Sequence, residues 1–298
     1  MTDHLTVAAL AQAIGWAFAV GALLLLVLTV LPQTRTIARG LWPILVSEAG
    51  ILAAGVLPWF LPSWALFTLL VIVASRIGFE SGTVHGLIAA RPVRLMYSLL
   101  LPVACVMAWF GDSALVLPGA AALMLASLLA MSFSRPRSLV GDLARFSIFP
   151  LIPFAVFCHL AGQPGMASLI VLAFFLVETF DSFSLLGGKL FGKTLLVPRL
   201  SPRKTWEGLA TGSATLFMAV LALVSWLGLP LLEMLMGGMV VIASAITGDL
   251  LGSAAKRSAS VKDYPPVMKV QGGLLDIIDS WIVAGPCLVG FYFLTAGQ

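Results

Sequence analysis

Acidic and basic side chains that could handle phosphate groups are concentrated in two polar segments of the C-terminal half of this 298-residue sequence. In the first segment, Glu178 and Asp181 are three residues apart and so share one face of a helix. Buried carboxylates are costly, which points either to a function or to hydrogen bonds with neighbouring helices. Gly187, Gly188 and Gly192 would let the backbone approach a ligand closely. Five basic residues belong to the same segment: Lys189, Lys193, Arg199, Arg203 and Lys204.

The first segment ends in a pattern typical of a helix N-terminus. Ser201 and Pro202, followed by Glu207 just before an apolar run, predict a helix start there. The exposed backbone amides of such a helix end could hold a phosphate group.

Three carboxylates in the second segment predict a binding site for a hard cation. Asp249 ends one apolar run, and Asp276 and Asp279 share a face at the start of the next. Carboxylates beside basic residues suit Mg²⁺ with phosphates, because Mg²⁺ binds one or two carboxylates and completes its shell with phosphate and water. The residues leave one alternative open, which is ion pairing of the carboxylates with Lys256 and Arg257.

The composition places both segments in a membrane protein. Hydrophobic residues make up 60% of the chain and charged residues 10%, against about 25% charged residues in soluble domains. The mean hydropathy is +1.06. The first apolar run, Leu5 to Leu31, is too long for a signal peptide and is predicted to be a retained helix. The cysteines and histidines are too dispersed to indicate a disulfide or a metal cluster.

Apolar runs between turn signals predict an all-α, polytopic protein with about ten transmembrane helices. The predicted spans are 8–31, 42–58, 61–77, 95–110, 114–133, 146–161, 166–188, 209–228, 231–251 and 277–295. Pro58 and Pro62 favour a helical hairpin of the second and third spans. We expect a single membrane domain, with residues 1–165 as a helical scaffold and residues 166–298 as the catalytic part.

The basic residues orient the predicted spans. If the N-terminus is outside, all 17 Lys and Arg residues fall on one side, which the positive-inside rule assigns to the cytoplasm. An even number of spans then leaves both termini outside. The isoelectric point near 9.2 is explained by this topology, so no nucleic-acid partner is expected.

The motifs of the two segments resemble those of a known family. The second segment contains Ser253-x-x-Lys256-Arg257, then Lys262-Asp263, then Gly272-Gly273-Leu-Leu-Asp276-x-x-Asp279-Ser280. The first contains Asp181-Ser182, Gly188-Lys189-Leu-Phe-Gly192-Lys193 and Ser201-Pro202-x-Lys204-Thr205-Trp206-Glu207-Gly208. Together, over roughly residues 177–283, they resemble the signature of the phosphatidate cytidylyltransferases, the CDP-diacylglycerol synthases.

Three departures from the family pattern bear on activity. Gln271 replaces the usual His, Ile277 replaces the usual Arg, and Phe183-Ser184-Leu185 stands where Gly-Ala-Tyr is common. An arginine can bind phosphate through two hydrogen bonds and an aliphatic side chain cannot. Reduced activity, an altered lipid substrate and lost activity therefore stay open.

The resemblance implies that CTP and phosphatidic acid react to give CDP-diacylglycerol and pyrophosphate. It implies an enzyme of the cytoplasmic (inner) membrane with its active site on the cytoplasmic side and, as partners, the bilayer and a second copy of the chain. Asp249, Asp276 and Asp279 would hold Mg²⁺, with a second cation possible, and would act with Lys256 and Arg257 as the catalytic set. The expected substrate-binding residues are Asp181, Ser182, Lys189, Lys193, Ser201, Lys204, Thr205, Glu207, Ser253, Lys262, Asp263, Gly272 and Gly273.

Three other interpretations remain. The chain could be a weakened or non-catalytic family member that binds or regulates lipids, or it could transfer the cytidylyl group to a different lipid phosphate. A transporter is less favoured, because an ion path predicts polar residues at the membrane midplane. Here the polar residues cluster at the ends of the predicted spans.

Overall fold

The computed structural model describes residues 4–85, 91–133, 138–268 and 272–296. Gln271, one of the departures from the family pattern, lies outside these ranges, as do Arg135 and Arg137 of the charge argument.

The described chain is almost entirely helical. Its helices are α1 (Val7–Val30), α2 (Arg35–Val56), α3 (Ser63–His85), α4 (Arg91–Phe110), α5 (Ser113–Phe133), α6 (Leu139–Phe146), α7 (Ile152–Gly162), α8 (Ala167–Phe191), α9 (Trp206–Leu227), α10 (Leu231–Ser258), α11 (Leu274–Ile278) and α12 (Trp281–Ala296). A 3-10 turn, Leu57–Phe60, follows α2, and a wide π turn, Ser147–Leu151, joins α6 to α7. Two short strands, β1 (Leu195–Val197) and β2 (Ser201–Thr205), lie between α8 and α9.

Nine helical segments of the described chain are long and apolar enough to cross a membrane, and a shorter apolar segment spans Leu95–Phe110. Each of the ten predicted apolar spans coincides with one of these segments. The expectation of a helical membrane protein is therefore confirmed. The number of helices that actually cross the bilayer, and the side on which the termini lie, stay predictions.

The chain folds into two compact units that interleave along the sequence. Unit 1 consists of Met1–Phe60, Ala167–Ser244 and Cys287–Gln298, and unit 2 consists of Leu61–Met166 and Ala245–Pro286. Residues on both sides of position 165 contribute to each unit. The expected division into scaffold and catalytic parts stays a prediction.

In unit 1, α8 and α9 pack closely because small residues face each other. A side chain at Gly187 would collide with Thr211, and one at Gly208 would lie 2.6 Å from the carbonyl oxygen of Ser184. A side chain at Gly212 would likewise collide with Ser184. These glycines permit helix packing, a use that the sequence interpretation of Gly187 as a ligand-approach position missed.

The β1–β2 hairpin corrects the predicted helix start at Ser201. The strands are antiparallel, with Leu195 opposite Thr205 and Val197 opposite Ser201. The helix begins only at Trp206, where the hydroxyl of Thr205 accepts a hydrogen bond from the Gly208 amide. Proline is common at the first position of a helix, but it is equally compatible with an edge strand, and here the strand is formed.

In unit 2, the C-terminal half of α10 packs against the segment that joins α11 to α12. A side chain at Gly248 would collide with the backbone of Asp279, and one at Gly252 would lie 2.8 Å from the Asp279 carboxylate. The predicted last span, 277–295, lies within the apolar segment Leu274–Thr295, which the structure divides into α11 and α12. The chain turns at Asp279 and Ser280, so Asp276 lies in α11 and Asp279 lies between the two helices.

Candidate active site

One face of α10 carries three of the predicted polar residues of unit 2. The helix extends to Ser258, seven residues beyond the predicted end of the span, so Lys256 lies on the helix and not in a loop. Asp249, Ser253 and Lys256 follow one another at spacings of four and three, which places them on a common face with Gly252.

Asp276 is joined to this face by an ion pair with Lys256. Its second carboxylate oxygen accepts hydrogen bonds from the backbone amides of Gly273 (3.0 Å) and Tyr264 (3.2 Å). Both side chains of the pair are largely buried, which makes each the main partner of the other's charge. The ion-pairing alternative left open by the sequence is thus what the structure shows for Asp276.

Asp279 presents its carboxylate to the same face of α10. It is 5% exposed, its Oδ1 accepts a hydrogen bond from the Ser280 amide at 2.7 Å, and its Oδ2 points toward Gly252. The Ser280 hydroxyl donates to the carbonyl oxygen of Ala245 on α10 at 3.2 Å. These contacts hold the turn between α11 and α12 against the helix.

Gly272 and Gly273 allow the carboxylates to approach the backbone. Gly272 has a φ of +87°, a left-handed conformation that favours glycine. A side chain at Gly272 would lie 2.8 Å from the Asp276 carboxylate, and one at Gly273 would lie 2.8 Å from a carboxylate oxygen of Glu80. Both were predicted to bind substrate, and the structure gives them this packing role.

Glu80 and Arg76 of α3 also contact this segment, although neither was predicted to lie in the site. The Glu80 carboxylate accepts hydrogen bonds from the amides of Leu274 (2.8 Å) and Leu275 (2.9 Å) and pairs with Arg76 at 2.8 Å. Arg76 also donates to the carbonyl oxygen of Pro265 at 2.8 Å. The signal that could have revealed them is an acidic residue four positions after an arginine at the end of an apolar span.

Tyr264, in the loop between α10 and α11, lies beside Lys256 and Asp276. It is 2% exposed, and the Lys256 ammonium lies 5.6 Å from the centre of its ring. Burial, and then the nearby carboxylates of Asp276 and Asp279, raise the pKa of its hydroxyl well above the usual value. The hydroxyl is therefore neutral at physiological pH, and among the described residues it has no hydrogen-bond partner.

In unit 1, the predicted residues after α8 stabilise the hairpin. Glu207 accepts hydrogen bonds from the amides of Lys193 (3.1 Å) and Thr194 (3.1 Å), and Thr205 caps α9. These contacts leave the side chain of Lys193 exposed. The remaining predicted residues of this unit lie on α8 or β2: Asp181, Ser182, Lys189, Ser201 and Lys204.

Three predicted residues of unit 2, one near the end of α10 and two in the loop after it, are exposed. Arg257 is exposed and donates to the carbonyl oxygen of Val261 at 3.2 Å. Lys262 and Asp263 are also exposed, in the loop that leads to Tyr264. The structure therefore brings Asp276 and Asp279 together with Lys256 at one face of α10. Arg257, Lys262 and Asp263 lie outside that group.

The carboxylates have the right chemistry for Mg²⁺ but do not form a ready-made cage. No group of three or more His, Cys, Asp or Glu residues in the described ranges is arranged to hold a metal ion. Mg²⁺ needs only one or two carboxylates when phosphates and water supply the other ligands. The largely buried carboxylates of Asp276 and Asp279, which face α10, are compatible with a cation whose other ligands are phosphate and water.

The long apolar helices, with basic and acidic residues near their ends, define a helical membrane protein. Residues 44–295 match the model of the cytidylyltransferase family, and the chain belongs to that family. This confirms the resemblance inferred from the motifs.

Several relatives match the chain over about half its length. "Uncharacterized protein YnbB" of Escherichia coli is 40% identical over 132 residues, which cover 44% of this chain and 43% of that protein. "Phosphatidate cytidylyltransferase" of Rickettsia typhi is 31% identical over 49% of this chain and 67% of that protein. "Phosphatidate cytidylyltransferase" of Haemophilus influenzae is 34% identical over 50% of this chain and 56% of that protein.

Proposed function

We propose that the protein transfers the cytidylyl group of CTP to phosphatidic acid, giving CDP-diacylglycerol and pyrophosphate in phospholipid biosynthesis. The observation that carries the proposal is the match of residues 44–295 to the cytidylyltransferase family. Relatives named phosphatidate cytidylyltransferase add support.

The reaction asks the protein mainly to position and neutralise charge. An oxygen of the lipid phosphate attacks the α-phosphorus of CTP, the bond from that phosphorus to the bridging oxygen of the β-phosphate breaks, and pyrophosphate leaves. The attacking phosphate is already ionised, so no strong general base is required. Bringing two anions together depends instead on cationic side chains held in place before the reaction.

Unit 2 offers such a side chain in Lys256. Its ammonium is fixed by Asp276 on one side and lies over the Tyr264 ring on the other. We expect Lys256 to turn toward the triphosphate when CTP binds, because three phosphates offer more negative charge than one carboxylate. Arg257 and Lys262, which are exposed, can contact pyrophosphate as it leaves.

Asp249, Asp276 and Asp279 are the residues that would hold Mg²⁺, and a second cation would draw on the same carboxylates. When bound, Mg²⁺ would neutralise phosphate charge and orient the triphosphate. Release of Asp276 from Lys256 would make its carboxylate available to the cation. In unit 1, the exposed Lys189 and Lys193 are further candidates for binding CTP.

The proposed location in the membrane follows from the substrates and the charge distribution. We propose ten spans, both termini outside, and a cytoplasmic active site in the inner membrane, because this arrangement puts all 17 basic residues on one side. CTP then arrives from the cytosol while the acyl chains stay in the bilayer. A homodimer is proposed on the family resemblance alone.

The deciding experiment is an assay of the purified protein in detergent with Mg²⁺, radiolabelled CTP and phosphatidic acid. We expect CDP-lipid to form in the wild type and its rate to fall at least about 100-fold in Asp249→Asn and Asp276→Asn, since both remove a charge from the reacting centre. The matched control is Asp112→Asn, because Asp112 accepts a hydrogen bond from the Ala114 amide at the start of α5 and asparagine can do the same.

The outcomes separate the alternatives. Product formed from a lysolipid or prenyl phosphate but not from phosphatidic acid would change the acceptor and keep the reaction. No product with any lipid phosphate, from a protein that is folded by its unfolding profile, would contradict cytidylyl transfer and favour a lipid-binding or regulatory role.

A further inference from the structure

Glu80 is a buried carboxylate of α3 whose contacts are with the segment that carries Asp276. Its exposure is 0%, although it lies in an apolar helix where an ionisable side chain is costly. Each of its two oxygens accepts a backbone hydrogen bond, one from Leu274 at 2.8 Å and the other from Leu275 at 2.9 Å. Glu80 therefore accepts hydrogen bonds from two consecutive amides that lie nearly 200 positions later in the chain.

Those two amides belong to the first turn of α11, where a helix has no internal acceptors for its N–H groups. The residue that precedes the helix, Gly273, has no side chain that could cap it. A helix of five residues also gains little stability from its own hydrogen bonds. Glu80 supplies from another helix the acceptors that α11 lacks.

Arg76 compensates the charge of Glu80 and also contacts the loop that precedes α11. Its Nε donates to Glu80 at 2.8 Å, and its guanidinium also donates to the carbonyl oxygen of Pro265 at 2.8 Å. The pair thus holds both the loop before α11 and the start of α11. The paired cation and the two amide donors satisfy the charge and the hydrogen bonds of the buried carboxylate, so it can stay ionised inside the protein.

We infer that Glu80 is a positioning residue that fixes Asp276 for the reaction. Asp276 directly follows Leu275, and its ion pair with Lys256 requires the first turn of α11 to lie where Glu80 holds it. A role in catalysis rests on the proposed function, whereas the role in holding α11 does not. The predicted scaffold half of the chain thereby contributes a residue on which the reacting carboxylate depends.

The structural part is tested by hydrogen exchange in the purified full-length protein. Glu80→Gln keeps the size of the side chain but offers one oxygen instead of two, so we expect the amides of Leu274 and Leu275 to exchange at least about ten-fold faster, as hydrogen bonds to charged acceptors are strong. Glu233→Gln, which changes an exposed carboxylate of α10, serves as the matched control. Exchange within two-fold of the wild type in Glu80→Gln would overturn the inference.

The functional part is tested by kinetics of the same variants. We expect Glu80→Gln to lower kcat and raise the Mg²⁺ concentration for half-maximal activity by about 10–100-fold, the range seen when the support of a metal ligand is removed. The KM for phosphatidic acid should stay within two-fold. Faster exchange with unchanged kcat and Mg²⁺ dependence would show that Glu80 only stabilises α11, which would overturn its positioning role.

Two outcomes need a further comparison: a Glu80→Gln variant that does not fold, and a wild type without cytidylyl transfer. If Glu80→Gln does not fold, the double variant Arg76→Gln/Glu80→Gln removes the uncompensated guanidinium as well, and the same exchange and kinetic outcomes apply to it. If the wild type transfers no cytidylyl group, the proposed function fails, and a catalytic role for Glu80 fails with it. The exchange result still decides whether Glu80 holds α11.

Discussion

Tyr264 has a ring and a hydroxyl in contrasting environments. The ring lies under the Lys256 ammonium, the Cβ atom lies close to Gly273, and the backbone amide donates to Asp276. The hydroxyl is buried and has no partner among the described residues. A buried hydroxyl without a hydrogen bond costs stability.

Tyr264→Phe separates these two parts. The ring contacts are kept and an unsatisfied hydroxyl is removed, so we expect the free energy of unfolding to stay the same or to rise by up to about 1 kcal/mol. If the hydroxyl donates to a substrate phosphate, kcat should fall about ten-fold, the worth of one neutral hydrogen bond. Denaturant titration in detergent and the CTP assay give the two values.

Tyr292→Phe on α12 is the matched control for loss of a tyrosine hydroxyl. A loss of more than 1 kcal/mol in Tyr264→Phe would mean that the hydroxyl has a structural partner. Unchanged kcat together with unchanged stability would rule out the contact with substrate.

Helix α10 depends on two glycines for its contact with the turn between α11 and α12. A side chain at Gly248 would collide with the backbone of Asp279, whereas one at Gly252 would meet mainly the end of the Asp279 carboxylate. Backbone cannot move aside as easily as a side-chain end. The two positions, one helical turn apart, should therefore tolerate alanine differently.

We expect Gly248→Ala to lower the free energy of unfolding by about 1–3 kcal/mol, since overpacking forces the backbone to shift. Gly252→Ala should cost less. The matched control is Gly15→Ala in α1, where nothing lies within 4 Å and alanine should be neutral or stabilise the helix by up to about 1 kcal/mol. Denaturant titration of the three variants measures the order, and equal losses at positions 15 and 248 would contradict the packing argument.

The charge of the whole chain predicts its orientation in the membrane. With the N-terminus outside, the loop after α10 is cytoplasmic and the loop between α7 and α8 is not. In a variant without native cysteines, we expect Lys262→Cys to react with a membrane-impermeant maleimide only after the cells are permeabilised. Both Lys262 and the segment around Gln163 are accessible enough for such labelling.

Gln163→Cys is the opposite-side control and should react in intact cells. Labelling of residue 262 in intact cells would refute the topology and with it the cytoplasmic active site. Labelling of both positions only after permeabilisation would mean that the number of spans between them is wrong.

Much of the architecture follows from local patterns in the sequence. The long apolar runs predict the helices because a bilayer demands them. The common face of Asp249, Ser253 and Lys256 was not predicted, because α10 extends to Ser258, beyond the predicted end of the span at residue 251. The family resemblance also depended only on residues near each other in the chain, and the match over residues 44–295 confirms it. Even ion pairing of Asp276 with Lys256 could be foreseen as an alternative.

Only the tertiary structure decided what holds α11, the helix that carries Asp276, in place. Glu80 contacts residues nearly 200 positions later in the chain, and no short-range pattern encodes such a pairing. The hairpin before α9 replaced the predicted helix start because proline is compatible with both structures and pairing with β1 favours the strand. The acidic and basic residues of the two polar segments were evident from the sequence, but the backbone amides, buried partners and close glycine contacts that fix Asp276 and Asp279 depend on packing between distant parts of the chain.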